Sequence, residues 1–365
     1  MAHNPQEIIR FFQLEGKFLE VAPFGSGHIN DTYASSFRVD GKIVRYVHQW
    51  INHHVFKDPV RVMENIERVT GYVRQRVISN GGDPAREALT LVAALDGRSF
   101  YPTPQGDFWR TYTFIDGART YDTAENMRHV YSASKAFGNF QKLLGDLPGG
   151  RLHETIPYFH HTRQRFDTFI RILESDPACR ARLVKPEIDF ILQREGETSV
   201  VVDLLASGQI PERVTHNDTK LNNVMIDDRT GDGICVIDLD TVMPGSVLYD
   251  FGDSVRIGAS TAAEDEPDAS QVGFDLTRFE WLAQGYLDAA RDFLSATEVE
   301  HLAFSARLIT LEQGIRFLGD YLNGDTYYKI HHPNHNLDRA RTQLKMVAEM
   351  ERQEEAMNTI VNRYR

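Results

Sequence analysis

Two carboxylates and a carboxamide lie close together in the middle of this 365-residue chain. Asp218 and Asn223 belong to the run His216-Asn217-Asp218-Thr219-Lys220-Leu221-Asn222-Asn223, and Asp238 follows fifteen residues after Asn223. A carboxylate can take the proton of a hydroxyl nucleophile, and an amide oxygen with a second carboxylate can hold a hard cation such as Mg²⁺. These are the parts that phosphoryl transfer needs, because positioning and charge neutralisation do most of its catalysis. Asp218 is then the base, Asn223 and Asp238 the metal ligands, and Lys220 a cation that neutralises the migrating phosphoryl group.

The elements around these residues must bring positions 223 and 238 together. The apolar runs 224–226 and 234–237 flank the polar, glycine-containing stretch 227–233, a pattern that predicts a hairpin ending at Asp238. Asp250-Phe251-Gly252 spells the metal-binding triplet of protein kinases, but no hydrophobic strand leads into it and Met243-Pro244-Gly245 separates it from the hairpin. The metal is therefore assigned to Asp238, and Asp250 and Asp253 to helix capping or the substrate side.

Upstream, the periodicity predicts a short helix over 5–14 and strands over 18–24, 32–38 and 43–47, with Gly25-Ser26-Gly27-His28-Ile29-Asn30 and the Asp40-Gly41 turn between them. An amphipathic helix follows over 59–75, then strands over 89–94 and 108–115. Helices are expected over 130–144, 159–175, 186–193, 200–207, 279–293, 298–322 and 337–362, and a mobile acidic loop over 260–270. The fold class is α+β: a nucleotide-binding lobe over 1–116 built on an antiparallel sheet, and a helical lobe over 117–365 carrying the catalytic loop and substrate site. Tyr112, Phe114 and Ile115 fall where the chain passes between lobes and where backbone groups would hold adenine.

The composition, 41% hydrophobic and 25% charged, is that of a globular protein. A formal charge of −12 argues against a nucleic-acid partner. Two cysteines, Cys179 and Cys235, form no disulfide framework, and no basic-then-apolar leader or long apolar run appears, so a soluble cytoplasmic protein with no membrane partner is expected. The histidines at 53–54, 160–161 and 331–335 lack zinc-ligand spacing and read as solvated loop residues.

The glycine loop, the stretch 213–223, the run 238–245, Asp250-Phe251-Gly252-Asp253-Ser254 and the late Arg316-Phe317-Leu318 with Asp320-Tyr321-Leu322 resemble the N-acetylhexosamine 1-kinase family, within the aminoglycoside phosphotransferase and choline kinase superfamily. The resemblance implies a protein-kinase-like bilobal fold, ATP and Mg²⁺ as cofactors, and transfer of the γ-phosphoryl group to the C1 hydroxyl of N-acetylglucosamine or N-acetylgalactosamine. It implies Gly25 and Gly27 at the nucleotide, and sugar contacts from Asp218, His28, Asn30, Arg256, Arg316 and Tyr327. One departure from the broader kinase pattern stands out: Gln49 occupies the place of the third-strand lysine that holds the phosphates, which leaves Glu67 on the next helix without its usual partner. A kinase of another small acceptor (aminoglycoside, choline, homoserine or a different sugar) and a catalytically silent nucleotide-binding protein are the alternatives.

Overall fold

The two-residue turn at Asp40 and Gly41 needs left-handed backbone at both positions, and their φ angles are 48° and 81°. The computed structural model describes residues 4–25 and 29–365. After a one-turn helix α1 (Pro5–Ile8), strands β1 (Lys17–Pro23), β2 (Asp31–Val39) and β3 (Lys42–Ile51) pair consecutively and antiparallel. Helix α2 (Pro59–Ser79) comes next, and β4 (Tyr101–Pro102) and β5 (Phe108–Thr113) complete a sheet of order β1-β2-β3-β5-β4. The segment 89–94, expected as a strand, makes two isolated bridges, Leu91 to Tyr112 and Ala94 to Phe12, before the chain turns at Gly97, whose N–H donates to Ala94 O.

Pro59 opens α2 and Asp58 caps it, accepting from Arg61 N at 3.2 Å. Its buried stripe of Val62, Ile66, Val69, Val73 and Val77 packs in one core with Ile51 and Tyr112 of the sheet and Phe137, Phe140 and Leu239 beyond it. Asn65 interrupts the stripe at 1% exposure. Its Nδ2 donates to His153 O at 2.9 Å and Val242 O at 3.1 Å, and its Oδ1 accepts from His153 N at 2.9 Å. Glu67 faces solvent and accepts from Ser99 Oγ. The Asn65 carboxamide, with Glu67 turned outward, ties this helix to the chain at His153 and Val242.

Strand β6 (Ala118–Arg119) leaves the sheet and pairs antiparallel with Ile226 and Asp227. Helices α3 (Met127–Leu143), α4 (Thr162–Ser175), α5 (Lys185–Leu192) and α6 (Val200–Ala206) precede the short strands β7 (Arg213–Thr215), β8 (Val224–Asp227), β9 (Gly233–Val236) and β10 (Met243–Gly245). Helices α7 (Val247–Gly258), α8 (Leu276–Ala290), α9 (Ala296–Glu300), α10 (Leu302–Leu322), α11 (His335–Arg352) and α12 (Glu354–Tyr364) complete the chain. The architecture is the expected α+β one, an antiparallel-sheet lobe on a mainly helical lobe. Two expected long helices are each divided. A capping box of Ser295 and Glu298 starts α9, and His301 (φ −98°, ψ 4°) ends it. Gln353 (φ −109°, ψ 9°) separates α11 from α12, and its side chain donates to Phe274 O while Arg363 and Tyr364 reach Glu280. Among the described residues no helix is long and apolar enough to cross a membrane.

Replacing Asn65 by Ala leaves His153 N–H and two carbonyls without their partner, and should lower unfolding free energy by roughly 2 kcal/mol. Glu67→Ala should change it by less than about 0.5 kcal/mol. Urea denaturation of both variants measures the difference, and equal effects would contradict this account of how α2 is anchored.

Candidate active site

Strands β7 and β10 pair from Arg213–Gly245 to Thr215–Met243, so the segments after one and before the other lie side by side. The β8–β9 hairpin then folds back until Ile237 N–H donates to Asn223 O at 2.9 Å, which sets Asp238 beside Asn223. Asn223 Nδ2 donates to Asp218 O at 2.8 Å and Asp218 Oδ2 at 3.2 Å. Lys220 Nζ lies 3.0 Å from the same carboxylate oxygen. Burial alone would lower the Lys220 pKa, but Asp218, and behind it Asp238 and Asp253, raise it, so the ammonium stays charged. His216 is fully buried against Phe137; its Nε2 donates to Ile237 O at 2.8 Å, which leaves Nδ1 to accept from Asp218 N–H.

The loop holding Asp218 is not relaxed backbone, since Asn217 has φ 65°. Asp250 holds it in place. One carboxylate oxygen accepts from Asn217 N at 2.7 Å, and the other accepts from His216 N at 2.8 Å and Gln141 Nε2 at 2.7 Å. Asp253, a turn later on α7, accepts from Thr219 N at 3.0 Å and is held below its ordinary pKa, against burial, by Arg256. Gly252 between them lets α7 cross α10 closely, as a Cβ there would sit 2.5 Å from Ser305 O. Asp250-Phe251-Gly252 is therefore part of a clamp on the backbone of the loop that carries Asp218, away from Asn223 and Asp238. Its spacing after the Ser246 cap is the sequence signal for that role.

Asp218, Lys220, Asn223 and Asp238 share a cleft of about 650 Å³ with Gly25, Asn30, Gln49, Tyr112, Phe114 and Ile115. Gly27 and His28 lie outside the described residues. At the cleft's rim Phe114 stacks under the Arg45 guanidinium at 3.7 Å and meets Phe24 edge-on, while Arg45 also pairs with Asp116. On the floor, burial first and then Asp240 and Asp218 push the Asp238 pKa well above the usual carboxylate range. Arg110, with no exposed surface, holds Asp240 ionised through bonds of 2.7 and 2.5 Å. An acidic pair with a single arginine bound to one member, Asp240, favours a second cation. Oxygen donors from Asp238 and Asn223 suit a hard divalent ion that takes its remaining ligands from phosphates. The sequence reading passed over Arg110, although an arginine inside the apolar strand 108–115 was a visible signal.

The other proposed acceptor residues are arranged differently. Arg256 pairs with Asp253 and Glu264 and lines a second cavity of about 480 Å³ on the far side of Thr219 and Leu221. Gln343 also lines it, 2% exposed, and its Oε1 has no partner among the described residues. Arg316 and Tyr327 line neither cavity. Asn30 lines the cleft of about 650 Å³ instead and donates to Asp240 at 3.2 Å. Arg316 donates to Gln313 and lies over the rings of Phe159 and Tyr328. Arg165, which the sequence reading did not single out, donates to the Phe159 carbonyl at 2.9 Å. Two of the histidines read as solvated are engaged instead: His335, buried beside Asp265, and His160, whose ring spans Glu312 Oε1 at 2.9 Å and Asn217 O at 3.1 Å.

A family model described as the phosphotransferase enzyme family matches residues 20–286. The chain belongs to this family. Among solved structures it is similar to a microcompartment-associated aminopropanol kinase, at 14% identity and TM-score 0.58 over 97% of this chain and 98% of that one. An aminoglycoside phosphotransferase from Alicyclobacillus acidocaldarius aligns at 10% identity and TM-score 0.61 over 100% and 98%. A choline kinase from Cryptosporidium parvum aligns at 14% identity and TM-score 0.59 over 96% and 97%. At these identities the likeness is one of fold.

Asp250→Ala removes the acceptor of two buried backbone N–H groups and should lower stability by about 3–5 kcal/mol, measured by urea unfolding. A loss under about 1 kcal/mol would show that the loop holds its own shape. His160 faces two acceptors and so needs both ring protons. Although burial opposes the charge, Glu312 raises its pKa above 6.5. Its folded pKa being the higher one, the stabilisation is complete below pH 6.5 and is lost as pH rises through the folded value. The stability gap between wild type and His160→Gln should narrow across that rise, and a gap constant from pH 6 to about 9 contradicts the charged ring.

Proposed function

We propose that this chain transfers the γ-phosphoryl group of ATP to the anomeric C1 hydroxyl of an N-acetylhexosamine, giving the sugar 1-phosphate and ADP. The observation that carries phosphoryl transfer is the convergence of Asp218, Lys220, Asn223 and Asp238 on one wall of the cleft between sheet and helices. Adenine would rest by Phe114 and Ile115, with the phosphates running beneath Gly25 toward Asn223 and Asp238. Asp218 takes the C1 hydroxyl proton as the sugar oxygen bonds to the γ-phosphorus and the bond to the β–γ bridging oxygen breaks. An anomeric hydroxyl is more acidic than an ordinary alcohol, so a carboxylate base suffices. Lys220 faces the phosphoryl group in transit. Magnesium, held by Asn223 and Asp238, would supply neutralisation of the phosphate charge.

The electrostatics of the acceptor side support a neutral, hydroxyl-rich acceptor over a cationic one. Arg165 and Arg316 form no ion pair among the described residues, and the nearby acids are already engaged. Glu312 is bound to His160 and Thr162. Asp320 accepts from the backbone N–H groups of Thr326, Tyr327 and Tyr328. Asp253 and Glu264 hold Arg256. The second cavity, beside Thr219, is lined by two acids, Asp122 and Glu264, and two arginines, Arg256 and Arg278, so it offers choline or an aminoglycoside no acidic excess, whereas sugar hydroxyls and an acetamido carbonyl accept from guanidinium N–H groups. The free Gln343 oxygen awaits an N–H or O–H donor.

ADP release with Mg-ATP against a panel of sugars, amines and antibiotics, followed by NMR of the product, tests the proposal. Turnover of an N-acetylhexosamine with phosphate at C1 is expected. Turnover confined to a cationic acceptor would sink the sugar assignment and leave phosphoryl transfer standing. Asp218→Asn should slow turnover roughly 10²–10⁴-fold, and a near-normal rate would remove Asp218 from the base role.

A further inference from the structure

The β3 strand presents no lysine to the phosphates. Its cleft-lining side chains are Arg45, Val47 and Gln49. Arg45 is engaged at the rim, and His48 points away, buried between Ser35 and Thr111 with its pKa lowered to about 4 by desolvation. The strand register aligns Thr32, Gln49 and Arg110 in one row across β2, β3 and β5. Along that row Arg110 Nε donates to Gln49 Oε1 at 2.9 Å, and Gln49 Nε2 donates to Thr32 Oγ1 at 3.1 Å.

A guanidinium has no acceptor atom, so the group of Gln49 that faces Arg110 has to be the oxygen. That settles an amide orientation which is otherwise a matter of assignment. The NH₂ end is thereby turned toward Thr32 and the cleft, with one of its two hydrogens left over. Arg110's remaining nitrogens grip both oxygens of Asp240, two residues beyond Asp238. Asp240 also accepts from Asn30, at the exit of the glycine loop, whose own Oδ1 accepts from Asn52 N at 3.0 Å.

We propose that Gln49 is a phosphate-binding donor, and that Arg110 is the positioning residue that fixes its orientation and locks the sheet, the glycine-loop exit and the metal loop into one unit. The two jobs of a third-strand lysine are thus divided. An oriented amide N–H takes the contact with phosphate oxygen. A buried guanidinium, itself out of reach of the nucleotide, takes the tie to the acidic loop. This differs from the lysine arrangement in a measurable way, because no free positive charge from the sheet reaches the phosphates and their binding depends more heavily on the divalent ion.

The inference rests on ATP as the phosphoryl donor and is independent of which acceptor is used. It is tested by calorimetric binding of AMP-PNP with Mg²⁺, with adenosine as the phosphate-free control, on the full chain. Gln49→Glu keeps the acceptor for Arg110 but removes the NH₂ donor, so affinity for Mg-AMP-PNP should fall roughly 10-fold or more while adenosine affinity stays at the wild-type value. Arg110→Lys keeps the charge but cannot serve Gln49 and Asp240 together. It should weaken Mg-AMP-PNP similarly and raise the Mg²⁺ concentration needed for half-maximal binding. Wild-type affinity for Mg-AMP-PNP in Gln49→Glu overturns the proposal, and if the Arg110 variant fails to fold, that measurement decides alone. Full recovery of nucleotide and Mg²⁺ affinity in Arg110→Met/Asp240→Asn also overturns it, since Arg110 would then only balance a charge. A wild-type chain that binds no adenine nucleotide at all would overturn the donor assignment itself.

Discussion

Asn217 can keep its left-handed backbone because one buried carboxylate, Asp250, receives its amide hydrogen and that of His216. An unpaired N–H in this dry region would be costly, and relaxing the loop would swing Asp218 out of the cleft. Much of the helical lobe can be understood as support for this contact. Ser246 starts α7 so that Asp250 and Asp253 fall one turn apart on one face. Gly252 lets that helix seat against α10, while Gln141 from α3 steadies the carboxylate and His160 holds Asn217 O from the opposite side. The candidate base is positioned by a rigid shell whose members touch the loop backbone and leave the reacting atoms free.

The sheet and helices stand in a complementary relation. Asn65 and Arg110 each reach from the sheet side to the chain that follows the catalytic hairpin, one at Val242 and one at Asp240. In both cases a polar side chain sits where packing alone would favour an apolar one. The exchange gives direction to an interface that hydrophobic contact leaves free to slide, because hydrogen bonds fix register and apolar surfaces do not.

Much of this was legible in the sequence. The hairpin ahead of Asp238, the amphipathic stripe of α2 and the turn at Asp40-Gly41 are set by local chemistry, and they appear where periodicity and turn residues put them. The reasons for Asp250-Phe251-Gly252 were half legible: poor strand context argued against a metal role, but the partners of Asp250 include backbone N–H groups, which have no letter in a sequence. Arg110 and Asn65 were passed over, and His160 was read as solvated, for a related reason. Each is a polar residue among apolar ones whose partner lies 57 to 177 positions away. Helix breaks at His301 and Gln353 likewise come from tertiary docking and not from any strong breaker. Arg256, Arg316 and Tyr327 came from family resemblance, and the geometry places only Arg256 beside a cavity adjoining the catalytic loop.

The span of the Arg110–Asp240 contact bears on how the chain comes into being. The two residues are 130 positions apart. At a synthesis rate of about 5–20 residues per second, Arg110 leaves the ribosome roughly ten seconds before its partner exists. During that interval the nascent sheet would have to bury an unpaired guanidinium, so its complete form is disfavoured until the hairpin has been translated. Completion of the sheet is thereby deferred until the segment carrying Asp240 is made, and a truncated chain ending before it would offer a quality-control protease an open sheet instead of a finished lobe.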